Sequence, residues 1–263
     1  MHSAIRLNRA GVEMRAHMSI ERTHTAPACA GWPALSMHIG GTCRRLFVPP
    51  DRRLFRIDDR FEAIYLIGSG AFKISRFSAE GHEELCAFRF PGEFIGLDGI
   101  VSGRHQYEGL ALEPSTAHVL HKDNLERMAV SPELFPSLLM ALAHDSDCGH
   151  LHSQILGHRE ALGRLAYFLL DIGDRMVQET GSTHFRLPMS RADIACHLGL
   201  ARETVSRAFA HLQADGTIDL ARRAVRIIRR DELMRIAHHD PNRPMRSGPA
   251  GVRQLRSRAP PHS

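Results

Sequence analysis

The stretch LGLARETVSRAFAHLQADG, residues 198–216, carries Arg202, Glu203, Ser206 and Arg207 among Leu198, Leu200, Val205, Phe209 and Leu212. The apolar residues recur at helical spacing, so the four polar side chains share the opposite face. Their chemistry suits recognition of base edges. A guanidinium can grip guanine O6 and N7 together, a carboxylate can accept from cytosine N4, and a hydroxyl can bond a base or a phosphate. The same pattern would also fit an ordinary helix pair with a charged solvent face.

The residues around this face argue for positioning. In SRADIACHLGL, Ser190 is placed to cap a helix, and Asp193 three positions on completes a capping-box pattern. Gly199 ends that helix, and a second one starts at about Arg202 after a very short turn. Helix, tight Gly-containing turn and helix make a helix-turn-helix. Its buried set would be Ile194, Ala195, Leu198, Leu200, Val205, Phe209 and Leu212. In such a motif the first turns of the second helix enter the major groove. GTIDLARRAVRIIRR then reads as two short strands around a turn near Arg222, with Arg222, Arg223 and Arg226 beside the phosphate backbone.

Upstream, from Arg44 to about Leu125, short strands alternate with turn signals, as in a compact β-sandwich or barrel. EAIYLIGSGAFKISRF reads as two strands around Gly68-Ser69-Gly70, and ELCAFRFPGEFIGLDGI as a strand, a Pro91-Gly92 turn and a further apolar piece. Residues 132–180 place Leu151, Ile155, Leu156, Leu162, Leu165, Phe168, Leu169 and Ile172 close to a 3.6 period. Gly149 and Gly157 weaken this helix without ending it, and its apolar surface exceeds what one small β domain needs. A paired helix from a second subunit would cover it.

Composition agrees. The net charge is +5 over 263 residues, but residues 1–183 carry −3 and residues 184–230 carry +5. Residues 241–263 add five arginines and no acid. The positive balance thus lies in the C-terminal third, as a nucleic-acid footprint would. No apolar run approaches the roughly 18 residues of a membrane span, and the N-terminus lacks a signal-peptide pattern, so the expected location is cytoplasmic with no membrane partner. Five scattered cysteines without a C-x-x-C pair argue against a disulfide framework. IGSGAFKI looks like a kinase glycine loop, but no H-R-D or D-F-G follows, and no P-loop, G-x-S-x-G or H-E-x-x-H is present, so no enzyme is expected.

LPMSRADIACHLGLARETVSRAFAHLQADGTI closely resembles the DNA-binding signature of the Crp–Fnr family of bacterial transcription regulators, with its E-T-[VI]-S-R core standing as Glu203-Thr204-Val205-Ser206-Arg207. YLIGSGAFKI, GHEELCAFRFPGEFIGLDGI and HVLHKDNL follow the family's β-roll in order, and the long helix matches its dimerisation helix. Ser206 before Arg207 and the G-x-x-G at Gly96–Gly99 point to the Fnr-like branch. The resemblance implies an α+β fold: an N-terminal β-roll of the cyclic-nucleotide-binding, jelly-roll type, a long dimerisation helix and a C-terminal winged helix-turn-helix. The corresponding divisions are an irregular lead-in over 1–42, a sensor β-roll over 43–131, a helical segment over 132–180, the winged helix-turn-helix over 184–237 and a basic disordered tail over 238–263. The resemblance further implies a homodimer on a double-stranded TTGAT-type palindrome, acting on RNA polymerase. Ser190, Arg202, Glu203, Thr204, Ser206, Arg207, Arg222 and Arg223 would contact DNA.

The signal stays open. Cyclic-AMP binders of the family carry a Glu after P-G-E and a later Arg-Ser, whereas this chain reads GLDGI and SGRHQYEGLAL, which argues against cyclic AMP. The Fnr-type iron–sulfur cluster needs four cysteines within reach. Here the N-terminal region offers only Cys29 and Cys43, and the β-roll position reads as His118, which argues against a four-cysteine cluster. His118, Cys29 and Cys43 remain the cofactor candidates, and haem is one option, as in a nitric-oxide or oxygen sensor. His144, Cys148 and His152 fall at i, i+4 and i+8 on one helix face, a spacing that could ligate a transition metal. The alternatives are a polar helix stripe for those three and a satisfied buried histidine for His118. Control by abundance or cysteine oxidation is a further option, with Cys86 an inert core residue. A dimerisation scaffold that binds no DNA would leave Glu203, Ser206 and Arg207 without a role.

Overall fold

The computed structural model describes residues 44–238 except 131, 133–134, 158–159 and 181–183. The lead-in, the basic tail, Cys29 and Cys43 lie outside the described residues. The first half is a β-roll of two four-stranded antiparallel sheets. One runs in the order β1 (Arg44–Val48), β8 (Ser115–His121), β3 (Ala63–Ser69), β6 (Phe94–Ile95). The other runs β2 (Arg53–Phe55), β7 (Glu108–Ala111), β4 (Phe72–Phe77), β5 (Glu83–Arg89). Val48, Ile67 and Ile95 of the first sheet meet Phe55, Phe72 and Ala111 of the second, and that layer is the sandwich core.

The run Ile64-Tyr65-Leu66-Ile67 does not alternate because β3 is covered on both sides. Tyr65 and Ile67 face the sandwich core, while Ile64 and Leu66 pack with Leu120, Leu125 and Leu138 on the outer side. Leu125 belongs to helix α2 (Lys122–Val130), which follows the short α1 (Gly99–Ser102) and was not foreseen from sequence. The strands either side of Gly70 do not pair with each other, since β3 pairs with β6 and β8, and β4 with β5 and β7. Gly70 carries the chain across at φ +81°, and a Cβ there would lie 2.1 Å from the Ser115 hydroxyl, so no side chain fits.

The helical segment departs from the sequence expectation in two ways. It is two helices, α3 (Phe135–Gly157) and α4 (Ala161–Thr180), rather than one weakened by Gly157. The Tyr167 hydroxyl donates to Gln154 Oε1 at 3.0 Å, whereas thirteen residues of unbroken helix would separate them by about 20 Å. Glycine is a poor helix former, and α3 stops on it. Second, much of the apolar stripe assigned to a partner subunit is covered within the chain. Ile155, Leu165, Phe168, Leu169 and Ile172 are each at most 2% exposed and lie in one core with Phe88 of β5 and with Phe209 and Leu212 further on.

The C-terminal part comprises β9 (His184–Arg186), α5 (Arg191–Leu198), α6 (Arg202–Ala214), β10 (Ile218–Ala221), β11 (Ala224–Ile227) and α7 (Arg230–Ala237). The three strands form a small sheet in the order β10-β11-β9, a wing beside the helix pair. Helix α7, also unforeseen, buries Leu233 and Ala237 in the shared core. The architecture is thus α+β, with a β-roll, a long helical connection and a winged helix-turn-helix. Among the described residues no helix is long and apolar enough to cross a membrane.

Candidate nucleic-acid interface

The helix pair is built by local signals. Ser190, in extended backbone, accepts from the Asp193 amide at 3.0 Å, and Asp193 Oδ2 accepts from the Ser190 amide at 2.9 Å. This reciprocal box satisfies two of the donors that a helix N-terminus leaves open. Gly199 closes α5 in the left-handed region at φ 60°. Arg164 of α4 adds a charge there, donating from Nη1 to Leu198 O at 2.8 Å, where a cation complements the helix dipole. Three residues after Gly199, α6 begins. Ile194, Ala195, Leu198, Val205, Phe209 and Leu212 are buried as the periodicity requires, and Leu200 is half-buried.

The opposite face is open. Arg202, Glu203, Ser206 and Arg207 are exposed and Thr204 is half-buried. Among the described residues, Arg202 and Glu203 make no side-chain hydrogen bond or ion pair, so both are free to reach a ligand. Thr204 Oγ1 accepts from Arg207 Nη2 at 3.2 Å and orients that guanidinium along the helix, while Ser206 Oγ donates to Arg202 O at 3.0 Å. Ala201 at the N-cap supplies no side-chain cap, which leaves the first amides of α6 available to an acceptor.

A cleft beside this face is lined by Ser190, Arg191, Arg202, Arg222 and Arg223. Arg222 sits at the wing tip with φ 58°, a conformation uncommon outside glycine. Arg223 donates to Pro188 O at 3.2 Å, which ties the wing to the start of α5. Arg226 does not join them: it pairs with Asp219 across the hairpin at 2.9 Å. Sequence reasoning passed over Arg191. Its guanidinium carbon lies 3.3 Å from the centroid of the Phe209 ring, a cation–π contact. Burial, then Arg223, pulls it down to about 10, so it stays charged at neutral pH. Its signal in the sequence was its place directly after the Ser190 cap.

The β-roll grips the helix pair. Lys73 Nζ of β4 lies 3.0 Å from Asp193 Oδ1 and 2.9 Å from Glu83 Oε1. Cys196 Sγ donates to Glu83 O at 3.1 Å and His197 Nδ1 to Leu85 O at 3.3 Å. The β4–β5 hairpin therefore holds one side of α5 while α6 holds the other.

The cofactor candidates do not converge. His118 is half-buried on β8, opposite Leu66 and Arg45, with its ring against Gly68, and burial followed by Arg45 lowers its pKa. It is less enclosed than a satisfied core histidine would be. His144 Nε2 contacts Cys148 Sγ at 3.6 Å, but His152 turns to His197, with Nδ1 and Nε2 3.4 Å apart. Among the described residues no three His, Cys, Asp or Glu side chains are arranged to hold a metal ion, so the i, i+4, i+8 spacing does not become a ligand set. The three described cysteines lie on β5, α3 and α5, and each sulfur meets a different partner. They do not gather the thiolates of an iron–sulfur cluster. Cys86 is half-buried rather than core, and burial pushes its thiol up.

The pieces weighed against cyclic AMP are tied to each other. Asp98 Oδ2 accepts from the amides of Gln106 and Tyr107 at 2.6 and 3.1 Å, and Asp98 Oδ1 lies 3.3 Å from His105 Nδ1. His105, only 2% exposed, stacks on Phe55 at 4.1 Å, a burial the sequence had not signalled.

Comparison with known proteins matches this architecture. Residues 45–131 match the cyclic nucleotide-binding domain family, and residues 163–236 match the Crp-like helix-turn-helix domain. The transcriptional regulatory protein btr of Bordetella pertussis is 32% identical over 186 residues, which is 70% of this chain and 77% of that protein. The transcriptional activator protein Anr of Pseudomonas protegens is 31% identical over 186 residues, 70% of this chain and 76% of that one. The structure of FixK2 from Bradyrhizobium japonicum superposes with a TM-score of 0.69 at 26% identity, covering 76% of this chain and 99% of the other. With its β-roll, helical connection and winged helix pair, the chain belongs to the Crp–Fnr family of DNA-binding transcription regulators, not to an enzyme family.

Proposed function

We propose that the chain acts as a homodimer on a two-fold symmetric DNA site of the TTGAT type and regulates RNA polymerase there, in the cytoplasm, in response to a redox, gas or metabolic signal. The observation that carries the DNA reading is the open face of α6, where Arg202, Glu203, Ser206 and Arg207 project from an uncapped helix start. Arg207 and Glu203 supply base contacts, and Thr204 sets the direction of Arg207. Ser190, Arg191, Arg222 and Arg223 line the adjoining cleft and supply phosphate contacts, which position the helix without reading sequence.

A seam on α3 supports the dimer. Phe135, Leu139, Leu142, Ser146, Gly149, Ser153 and Leu156 follow each other at alternating steps of four and three, and all are exposed in the single chain. That is a heptad seam, apolar at its ends and small-sided in the middle. Leu139 is 54% exposed and Phe135 46%, more than isolated surface residues explain. Two copies paired along this seam would set two recognition helices on one side, as a palindrome requires.

The test is a gel-shift titration with a TTGAT palindrome and a scrambled duplex of the same composition, alongside sedimentation of the free protein. The reading requires a dimer that prefers the palindrome by at least roughly a thousandfold at physiological salt. Equal affinity for both duplexes would overturn it.

A further inference from the structure

A cluster of charged and nucleophilic groups lies away from the DNA face, where β5, α3, α4 and α5 meet. Glu93, 3% exposed, accepts from Arg175 Nε at 2.9 Å and Nη2 at 2.8 Å. Its Oε1 also lies 3.7 Å from His144 Nε2, and that nitrogen is 3.6 Å from Cys148 Sγ. One imidazole nitrogen thus faces both a buried carboxylate and the sulfur, so the proton it carries is shared between them and stands beside Cys148 as a positive charge that favours the thiolate.

A second observation comes from Arg89. It is 7% exposed, and its Nη2 meets Asp145 at 2.5 Å, yet its buried Nη1 has no hydrogen-bond partner. A charged donor left open in the interior is costly and calls for an acceptor. Arg89 and Cys148 line one cavity, of about 20 Å³, which is room for one water-sized group. Arg175 lines it too, so two guanidinium groups stand where negative charge on the sulfur would be balanced.

We propose that Cys148 is a site of oxidation by hydroperoxides, its sulfur taking one peroxide oxygen into the cavity it shares with Arg89. The thiol gives up its proton to solvent and the sulfur reacts as a thiolate beside the protonated His144 ring. The thiolate attacks one oxygen of hydrogen peroxide, an S–O bond forms and the O–O bond breaks. The leaving hydroxide takes the proton from His144 and departs as water, and the proton released to solvent by the thiol restores His144. Sulfur loses the two electrons that the peroxide gains, and the products are a sulfenic acid and water. The added oxygen is the acceptor that Arg89 Nη1 lacks.

The other described cysteines are built differently. Cys86 Sγ donates to Glu84 O at 3.5 Å and Cys196 Sγ to Glu83 O at 3.1 Å, so each meets a backbone carbonyl rather than a base. Cys148 is half-buried, within reach of a small peroxide. It lines the cavity with Arg89 and His197, whereas the Phe135–Leu156 seam residues are exposed and none of them lines that cavity. His197 of α5 also walls the cavity, which places the oxidised sulfur against the first helix of the DNA-binding pair.

The test uses the full reduced chain, hydrogen peroxide and dimedone, with the sulfenic-acid adducts mapped by mass spectrometry. It needs no DNA and stands or falls independently of the palindrome. The expected result is adduct at Cys148 forming at least tenfold faster than at Cys86 or Cys196, and at least tenfold slower in the His144→Gln variant. Labelling of Cys148 in the unaltered protein no faster than that of Cys86 and Cys196 overturns the proposal, and so does an unchanged Cys148 rate in a folded His144→Gln variant.

Discussion

His152 Nδ1 lies 3.4 Å from His197 Nε2, with the two rings 4.3 Å apart, where α3 meets the first helix of the DNA-binding pair. Leu85 O can only accept, so His197 Nδ1 carries a proton, and a neutral His197 must then accept at Nε2 from His152 Nδ1. The pair is a directed relay from α3 through α5 to the backbone of β5, and it works only while both rings are neutral. Burial, and then His152, pushes His197 down to about 3, and burial lowers His152 as well.

This sets a pH dependence. In the unfolded chain His197 binds its proton near 6.5, in the fold near 3. Between those values the unfolded state holds more protons, so stability is complete above pH 6.5 and falls as pH drops towards 3. His144, pushed up to about 10 by its contacts with Cys148 and Glu93, works the other way: its contribution is full below 6.5 and lost as pH rises through 10. The expected outcome is that wild type loses about 2 kcal/mol more between pH 7 and pH 5 than His197→Gln does. Urea unfolding of both proteins at the two pH values measures it, and parallel losses would contradict the assignment.

The Glu93–Arg175 pair is buried. Burial alone would raise Glu93, but Arg175, His144 and Arg89 outweigh it and hold it at about 2. Arg175→Met is expected to cost about 3–5 kcal/mol, because a carboxylate is left in the interior with too few partners. Adding Glu93→Gln should recover part of that loss, which a double-mutant cycle of denaturant midpoints reads directly.

Asp193 serves two partners, the Ser190 amide and Lys73 of the β-roll. Ser190→Ala is expected to cost about 1 kcal/mol, the worth of a helix cap. Asp193→Ala should cost more: it keeps the backbone amide that Ser190 caps, but it removes the carboxylate that takes the Ser190 amide and hydroxyl and the tie to Lys73 of β4. Equal losses in thermal unfolding would show that the Lys73 contact adds nothing.

On DNA, Arg207→Ala is expected to weaken the palindrome by about 1–3 kcal/mol per half-site while nonspecific binding barely changes. Arg191→Ala should act differently, weakening all sequences alike and lowering the salt slope by about one per half-site. Titrations at several salt concentrations separate the two, and a change in base preference for Arg191→Ala would move it out of the phosphate-contact class.

Paired substitution of Leu139 and Leu142 by Glu is expected to give monomers in sedimentation with the fold retained, because both side chains point outward from α3. A dimer that survives would place the subunit interface elsewhere.

Sequence alone determined the helix pair. Ser190 and Asp193 are three residues apart, Gly199 closes the helix, and Leu198, Val205, Phe209 and Leu212 mark one face. These signals act over one or two helical turns, so they are legible in a linear string, as were the turns of the β-roll at Gly68–Gly70 and Pro91–Gly92. Tertiary structure decided what covers each apolar face and which polar groups meet. The stripe through Leu165, Phe168, Leu169 and Ile172 needed burial, but periodicity does not name the covering surface; here it is the chain's own core, not a partner. Glu93 meets Arg175 across 82 residues and Arg89 meets Asp145 across 56. Arg191 rests on Phe209 because two short helices cross there, and His144, Cys148 and His152 share a spacing but not a destination. Contacts of that kind depend on how distant elements pack, and local propensity carries no record of it.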